Sequence, residues 1–348
     1  MTSPSPLAVL SCACVRATRA FALVILAAFA FGTGGGAHAA QDAELATVRV
    51  GVLQFGTVSW ELDATVRAGL AAREGLRIEV VPLALKDAAN VALLGSAVDV
   101  IVNDWIWVAR QRAEGRDFTF VPYSLAVGGL LARPDADIRS FADLQGKRLG
   151  VAGGPLDKSW LLLRAYARRT VGEDAAQWLR ADFVAPPLLN ELMLRGELPA
   201  GLNFWHYGAR LLAAGMVPVL EMEDILTTLG VRGELPLLGW VFRESWAQAN
   251  PRVIEGFLRA STATKQLLQE SDAAWDALRP LMKAGDEATF AALVAGFRAG
   301  IPSAHANGAA EAAAASVFGI LAAEGGPALV GRARELAPGT FWAGAGRQ

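Results

Sequence analysis

Asp143-Leu-Gln-Gly-Lys-Arg-Leu-Gly-Val-Ala-Gly-Gly-Pro-Leu-Asp-Lys-Ser-Trp160 decides how the rest of the chain is read. Leu144 to Lys147 is a turn, and Arg148 to Ala152 is a short apolar strand. Gly153, Gly154 and Pro155 break the strand pattern, and a helix follows from Ser159 to Val171, ending at Gly172. A strand, a glycine bend and a helix mouth in succession form the repeating unit of an open α/β sheet. Ligands of such sheets sit beyond the carboxyl ends of the strands, where backbone N–H groups and helix N-termini converge.

The same unit recurs on both sides. Upstream, Val48-Arg-Val-Gly-Val-Leu53 alternates as a strand, a polar and aromatic loop runs from Gln54 to Trp60, and a helix follows from Glu61 to Glu74. Leu76 to Leu83 is a second strand, Lys86 to Leu94 a helix, and Val98 to Val102 a third strand leading into a helix at Asn103-Asp104-Trp105. Downstream, strands at Asp182 to Ala185, Leu202 to Trp205 and Val217 to Leu220 alternate with helices at Leu188 to Arg195 and His206 to Ala214. Leu235 to Phe242 is extended. From Pro251 onward the chain is helical only. Alternating strands and helices predict a mostly parallel sheet covered by helices.

A 348-residue chain with 53% hydrophobic and 19% charged residues buries a substantial core. A net charge of −2, with no basic run interleaved with aromatics, sets nucleic acid aside. The first 39 residues are expected to be a secretory signal peptide, removed on export. Arg16 and Arg19 precede the apolar run Phe21 to Phe31, glycines break it, and Ala37-His-Ala39 supplies the small-x-small cleavage pattern. Cleavage there removes both cysteines, Cys12 and Cys14, so neither disulfides nor a thiol nucleophile belong to the exported form.

Four phrases together resemble the periplasmic substrate-binding proteins of ABC importers, of the nitrate/sulfonate/taurine type. They are Val48-Arg-Val-Gly-Val52, Ala92-Leu-Leu-Gly-Ser-Ala-Val-Asp-Val100, Phe141-Ala-Asp-Leu-Gln-Gly-Lys-Arg-Leu-Gly-Val151 and Asn250-Pro-Arg-Val-Ile-Glu-Gly-Phe-Leu-Arg-Ala260. The chain is also similar to binders of thiamine-pyrimidine precursors. The resemblance implies a type II, two-lobe periplasmic-binding-protein-like α/β fold. Each lobe is a mixed, mostly parallel sheet flanked by helices, with the C-terminal helices packed on lobe one. Lobe one is expected at 48–123, lobe two at 124–232, and a return crossing with the C-terminal helices at 233–345. The ligand is enclosed by hinge closure. One departure stands out: where the family often carries a Trp-Glu-Pro-like segment, this chain has Asn203-Phe-Trp-His-Tyr-Gly208.

Four strand-end loops supply the expected ligand positions. They contain Gln54, Phe55 and Trp60; Asn103, Asp104 and Trp105; Gly153, Gly154, Asp157, Ser159 and Trp160; and Asn203, Trp205 and Tyr207. Aromatics offer flat apolar walls, and amides offer both donors and acceptors. Asp104 and Asp157 also suit helix capping, worth about 1 kcal/mol each. Only Lys158 is basic in these loops, and a carboxylate in a helix mouth opposes an anion. The expected ligand is therefore a neutral or cationic, flat, nitrogen-containing molecule, with an organic sulfonate or other small oxyanion as the alternative.

His206 is expected to be a hydrogen-bonded structural residue, and His305 a surface-loop residue. Neither has a nearby second histidine for a metal site, and no cofactor is expected. Ser59 and Ser159 lack a G-x-S-x-G elbow, and Gly150 to Gly154 lacks a nucleotide fingerprint. The chain is thus expected to be a non-enzymatic, monomeric, periplasmic solute-binding protein that serves an ABC permease in the inner membrane. The alternatives are a ligand-sensing partner of a membrane receptor, or an enzyme on the same fold.

Overall fold

The computed structural model describes residues 45–54, 56–303 and 306–344. The expected leader, Phe55 and His305 lie outside them. Among the described residues, ten strands form two five-stranded sheets. The first sheet runs β2-β1-β3-β10-β4, built from β1 (Ala46–Leu53), β2 (Leu76–Leu83), β3 (Val100–Asp104), β4 (Phe118–Ser124) and the returning β10 (Leu238–Arg243). The second runs β7-β6-β8-β5-β9, built from β5 (Gly129–Ala132), β6 (Arg148–Ala152), β7 (Arg180–Val184), β8 (Ala200–Asn203) and β9 (Val217–Glu221).

Each sheet is mixed in the same way. In the first, β1 pairs in parallel with β2 and β3, while β10 lies antiparallel between β3 and β4. In the second, β6 pairs in parallel with β7 and β8, while β5 lies antiparallel between β8 and β9. The antiparallel strands β5 and β10 are the two that follow a crossing from one sheet to the other. Alternation sets the faces: Val48, Val50 and Val52 of β1 all point into the core beside Leu62, Trp240 and Phe257.

The expected helix Glu61 to Glu74 is two helices, Val58–Arg67 and Leu70–Arg73. Gly69 separates them at φ 66°, a left-handed conformation that glycine adopts without steric cost. The C-terminal helices also differ from expectation, because they do not pack on lobe one alone. Helix Pro251–Glu270 does lie there, with Trp240 Nε1 donating to Ser261 Oγ at 3.0 Å and Lys265 donating to buried Glu61 at 2.6 Å. Helix Glu287–Ala299 instead meets the second lobe, where Phe297 stands edge-on to Trp205 and a Cβ on Gly296 would sit 3.0 Å from that indole. The helical segment Ala306–Val330, broken by a kink at Gly326, reaches it too, with Arg164 donating to the Glu324 carbonyl at 3.2 Å. An apolar helical stripe must be covered, but its sequence does not say by which neighbour.

Candidate functional site

A cavity of about 250 Å³ lies between the two lobes. The first lobe supplies Leu53, Thr57, Lys86 and Asp104, the second Asp157, Lys158 and Phe204. Ala126, Val127, Leu237 and Leu238 line it from the two crossings. Most of its wall is aliphatic or aromatic, and its charged groups gather at one place. Concave, largely apolar and with a few convergent polar groups, it has the character of a small-ligand site.

Asp104 organises the polar end. It is the last residue of β3 and the N-cap of helix Trp105–Ala113, and its Oδ1 accepts from Trp107 N at 2.8 Å. Its Oδ2 lies 2.6 Å from Lys86 Nζ and 2.7 Å from Lys158 Nζ, and the aspartate side chain is only 4% exposed. Lys86 opens helix Lys86–Leu94 on the same lobe, whereas Lys158 opens helix Lys158–Thr170 on the other. The Asp104–Lys158 pair therefore spans the cleft. Burial by itself would raise the Asp104 carboxyl, but the two ammonium groups outweigh it and hold the group well below the usual carboxylate range. Burial likewise disfavours the Lys158 ammonium, yet Asp104 more than offsets this and its pKa is raised.

Asp157 is the N-cap of helix Lys158–Thr170 and accepts from Ser159 N at 2.9 Å and Trp160 N at 3.4 Å. Its carboxyl is raised by burial, only partly countered by Lys158. The glycine bend serves this cap. Gly153 has φ 83°, and a Cβ there would fall 2.6 Å from Asp157 Oδ2. Two lysines and two aspartates thus make a formally balanced cluster at one end of an apolar cleft.

Of the expected positions, Asn103, Asp104, Asp157, Ser159 and Trp205 line the cavity together. Three tryptophans do not: Trp60, Trp105 and Trp160 are 5%, 0% and 2% exposed and belong to the core. At these three strand ends the following helix turns its tryptophan inward, away from the cavity. Trp60 packs edge-on against Trp205 and Trp275, and Trp160 against Phe183. Gln54 is exposed and donates its backbone N–H to Leu83 O at 3.0 Å. Gly153, Gly154 and Tyr207 stand outside the cavity wall, and Tyr207 stacks at a tilt on His206.

Asn203 also stands outside the wall, for a clear reason. Its Nδ2 donates to Pro186 O at 3.0 Å and Asn190 Oδ1 at 2.8 Å, and its Oδ1 accepts from Phe204 N at 2.8 Å. Asn103 does the same in the other lobe, donating to Asn90 Oδ1 at 2.6 Å and accepting from Asp104 N at 2.8 Å. Both amides clasp the end of their own strand to the preceding helix. The thirteen-residue spacing of Asn90 with Asn103 and of Asn190 with Asn203 is visible in the sequence as a repeat.

Lys86 and His206 are polar cavity residues that the strand-end reading did not select. Lys86 follows the carboxyl end of β2, and applying the same rule to that strand finds it. His206 is not the hydrogen-bonded structural residue expected, because its Nδ1 is buried without a hydrogen-bond partner. Its ring lines the cavity, and burial, with the Arg210 guanidinium nearby, pulls the imidazole from 6.5 down to about 4. Among the described residues no cluster of histidine, cysteine or carboxylate side chains could hold a metal ion.

Residues 67–274, more than half of the chain, match the family described as NMT1/THI5 like. The chain belongs to this NMT1/THI5-like family. No curated protein matches it. Among solved structures, the NMT1/THI5-like chain is similar to the alkanesulfonate-binding protein SsuA of Xanthomonas axonopodis pv. citri bound to MOPS. That match has a TM-score of 0.61 and 17% identity, covering 86% of this chain and 99% of that one. The periplasmic aliphatic sulphonate binding protein SsuA of Escherichia coli matches with a TM-score of 0.60 and 16% identity, over 79% and 92% of the two chains. The periplasmic nitrate-binding protein NrtA of Synechocystis PCC 6803 matches with a TM-score of 0.52 and 14% identity, over 68% and 66%. At these identities the likeness is one of fold: two mixed sheets flanked by helices, as in periplasmic binding proteins.

Proposed function

We propose that this protein captures a small neutral molecule between its two lobes and delivers it to an ABC-type permease from the periplasm. One lobe comprises 48–123 with the returning strand within 233–345, and the other 124–232. The family and the sulfonate- and nitrate-binding neighbours support capture of a small solute by this fold. The leader read at the N-terminus supports export. The paired state of the cleft's charged groups supports binding without bond chemistry.

The charge balance of the cleft carries the reading of the ligand. Asp104 already occupies both ammonium groups, and Asp157 adds a second carboxylate within the same end of the cavity. An ion entering this cleft would lose its hydration without finding an uncompensated counter-charge, at a cost of several kcal/mol. A neutral molecule avoids that cost. Its flat apolar body would lie against Phe204, Trp205 and the aliphatic wall, while a nitrogen-containing edge exchanges hydrogen bonds with Ser159, His206 and the lysines.

The test is native mass spectrometry of protein taken from its own periplasm, followed by calorimetric titration with the molecule released. Parallel titrations use nitrate and short alkanesulfonates. Micromolar binding of either anion by the unaltered protein would sink the neutral-ligand reading.

A further inference from the structure

We infer that Asp104 is the specificity determinant of the cleft: its carboxylate occupies, as a built-in counter-ion, the place where two lysines from opposite lobes would otherwise hold a monoanion. This rests on the proposed reading of the cleft as the ligand site and goes further by assigning the selection to one residue. Three observations converge on it. First, a single oxygen, Oδ2, lies 2.6 Å from Lys86 Nζ and 2.7 Å from Lys158 Nζ, so one small anionic oxygen already bridges the two ammonium groups. Second, all three residues line the same cavity; the Asp104 side chain is 4% exposed, Lys158 20% and Lys86 47%, so the Asp104–Lys158 contact is the desolvated part of the bridge. Third, the other oxygen is engaged separately as the cap of helix Trp105–Ala113, accepting from Trp107 N at 2.8 Å.

The charge count gives the consequence. With Asp104 present, Lys86 and Lys158 face Asp104 and Asp157, and the cluster is balanced. Without the Asp104 carboxylate the same cluster carries one net positive charge and two ammonium groups short of an acceptor. Such a site fits a tetrahedral or planar monoanion, a sulfonate or nitrate, whose oxygens bridge the two cations as Oδ2 does now. Anion exclusion in this chain is thus a property of one side chain placed between two lobes. The fold itself does not impose it.

Asp104→Ser is the test. Serine still caps the helix, removes the carboxylate and leaves room for a small anion. Asp104→Asn keeps the shape and the cap and is the second variant should the first fail to fold, as judged by its melting curve. Methanesulfonate and nitrate are titrated calorimetrically into the unaltered protein, into each variant, and into Asp104→Ser combined with Lys158→Met. The expected result is anion affinity at least about 100-fold higher in Asp104→Ser, the gain from two charge-assisted hydrogen bonds, and at least about tenfold higher in Asp104→Asn. The gain disappears in the Lys158→Met combination. A folded variant whose anion affinity stays within about threefold of the unaltered protein's overturns the assignment. The two readings fail separately. Tight anion binding by the unaltered protein removes the neutral-ligand reading, whereas absent binding in both proteins removes only the role given to Asp104.

Discussion

Replacing Lys158 by methionine should open the cleft. Lys158 is the cation that reaches across it, 2.7 Å from Asp104, while Lys86 stands 2.6 Å from the same oxygen on Asp104's own lobe. Removing one partner of a buried pair costs about 3–5 kcal/mol when the other charge is left alone. Here Lys86 still compensates Asp104, so about half of that is lost, roughly 2 kcal/mol. The loss falls on the closed state only, because opening separates Asp104 from Lys158 in any case. The ratio of closed to open molecules should therefore fall about 30-fold, at about 1.4 kcal/mol per factor of ten. Lys86→Met is the matched control. It removes the same charge but leaves the pair across the cleft, and closure then becomes the only route by which Asp104 gains a cation. Closure in Lys86→Met should be unchanged or favoured. Spin labels at Val91→Cys and Leu188→Cys, exposed positions on the two lobes, report the separation by double electron–electron resonance without ligand. Identical distance distributions for Lys158→Met and Lys86→Met would refute the reasoning.

Three further outcomes follow from individual contacts. His206 titrates near 4 when folded and at 6.5 ordinarily, so the unfolded chain binds more protons between those values, and stability must fall as pH drops from about 6.5 toward 4. The loss is at most about 3 kcal/mol. Denaturant midpoints across that range should flatten in His206→Gln, and an equally steep decline there would remove His206 as the cause. Gly153→Ala forces a left-handed residue against the Asp157 carboxylate and should cost about 2 kcal/mol or more, lowering the melting temperature and weakening ligand binding together. Asn203→Ala takes the acceptor from Phe204 N and the donor from Asn190 Oδ1 in a buried clasp and should cost roughly 2–3 kcal/mol. Calorimetry should find its ligand affinity changed less than about threefold, since Asn203 does not line the cavity; a larger loss would place that amide on the ligand.

The sequence alone determined the local elements and their alternation. Period-two valines, glycine bends and capping aspartates act over a few residues, so β1, β6 and the mouth of helix Lys158–Thr170 are legible without coordinates. The strand-end rule found Asp104 and Asp157 for the same reason: a residue's place at the end of a strand is a local property. Tertiary structure decided which way each side chain turns and what it meets. Trp60, Trp105 and Trp160 occupy strand-end positions like Trp205, yet only Trp205 lines the cavity, because helix rotation on the sheet is set by packing between distant segments. Asn103 and Asn203 have the composition of ligand contacts, but partners thirteen residues earlier use their amides. The charge of the site was the least legible feature. Lys86, Asp104 and Lys158 are separated along the chain; packing within one lobe brings Lys86 to the Asp104 carboxylate, and only the approach of the other lobe adds Lys158 to the same oxygen and turns three ordinary charged residues into a single bridge across the cleft.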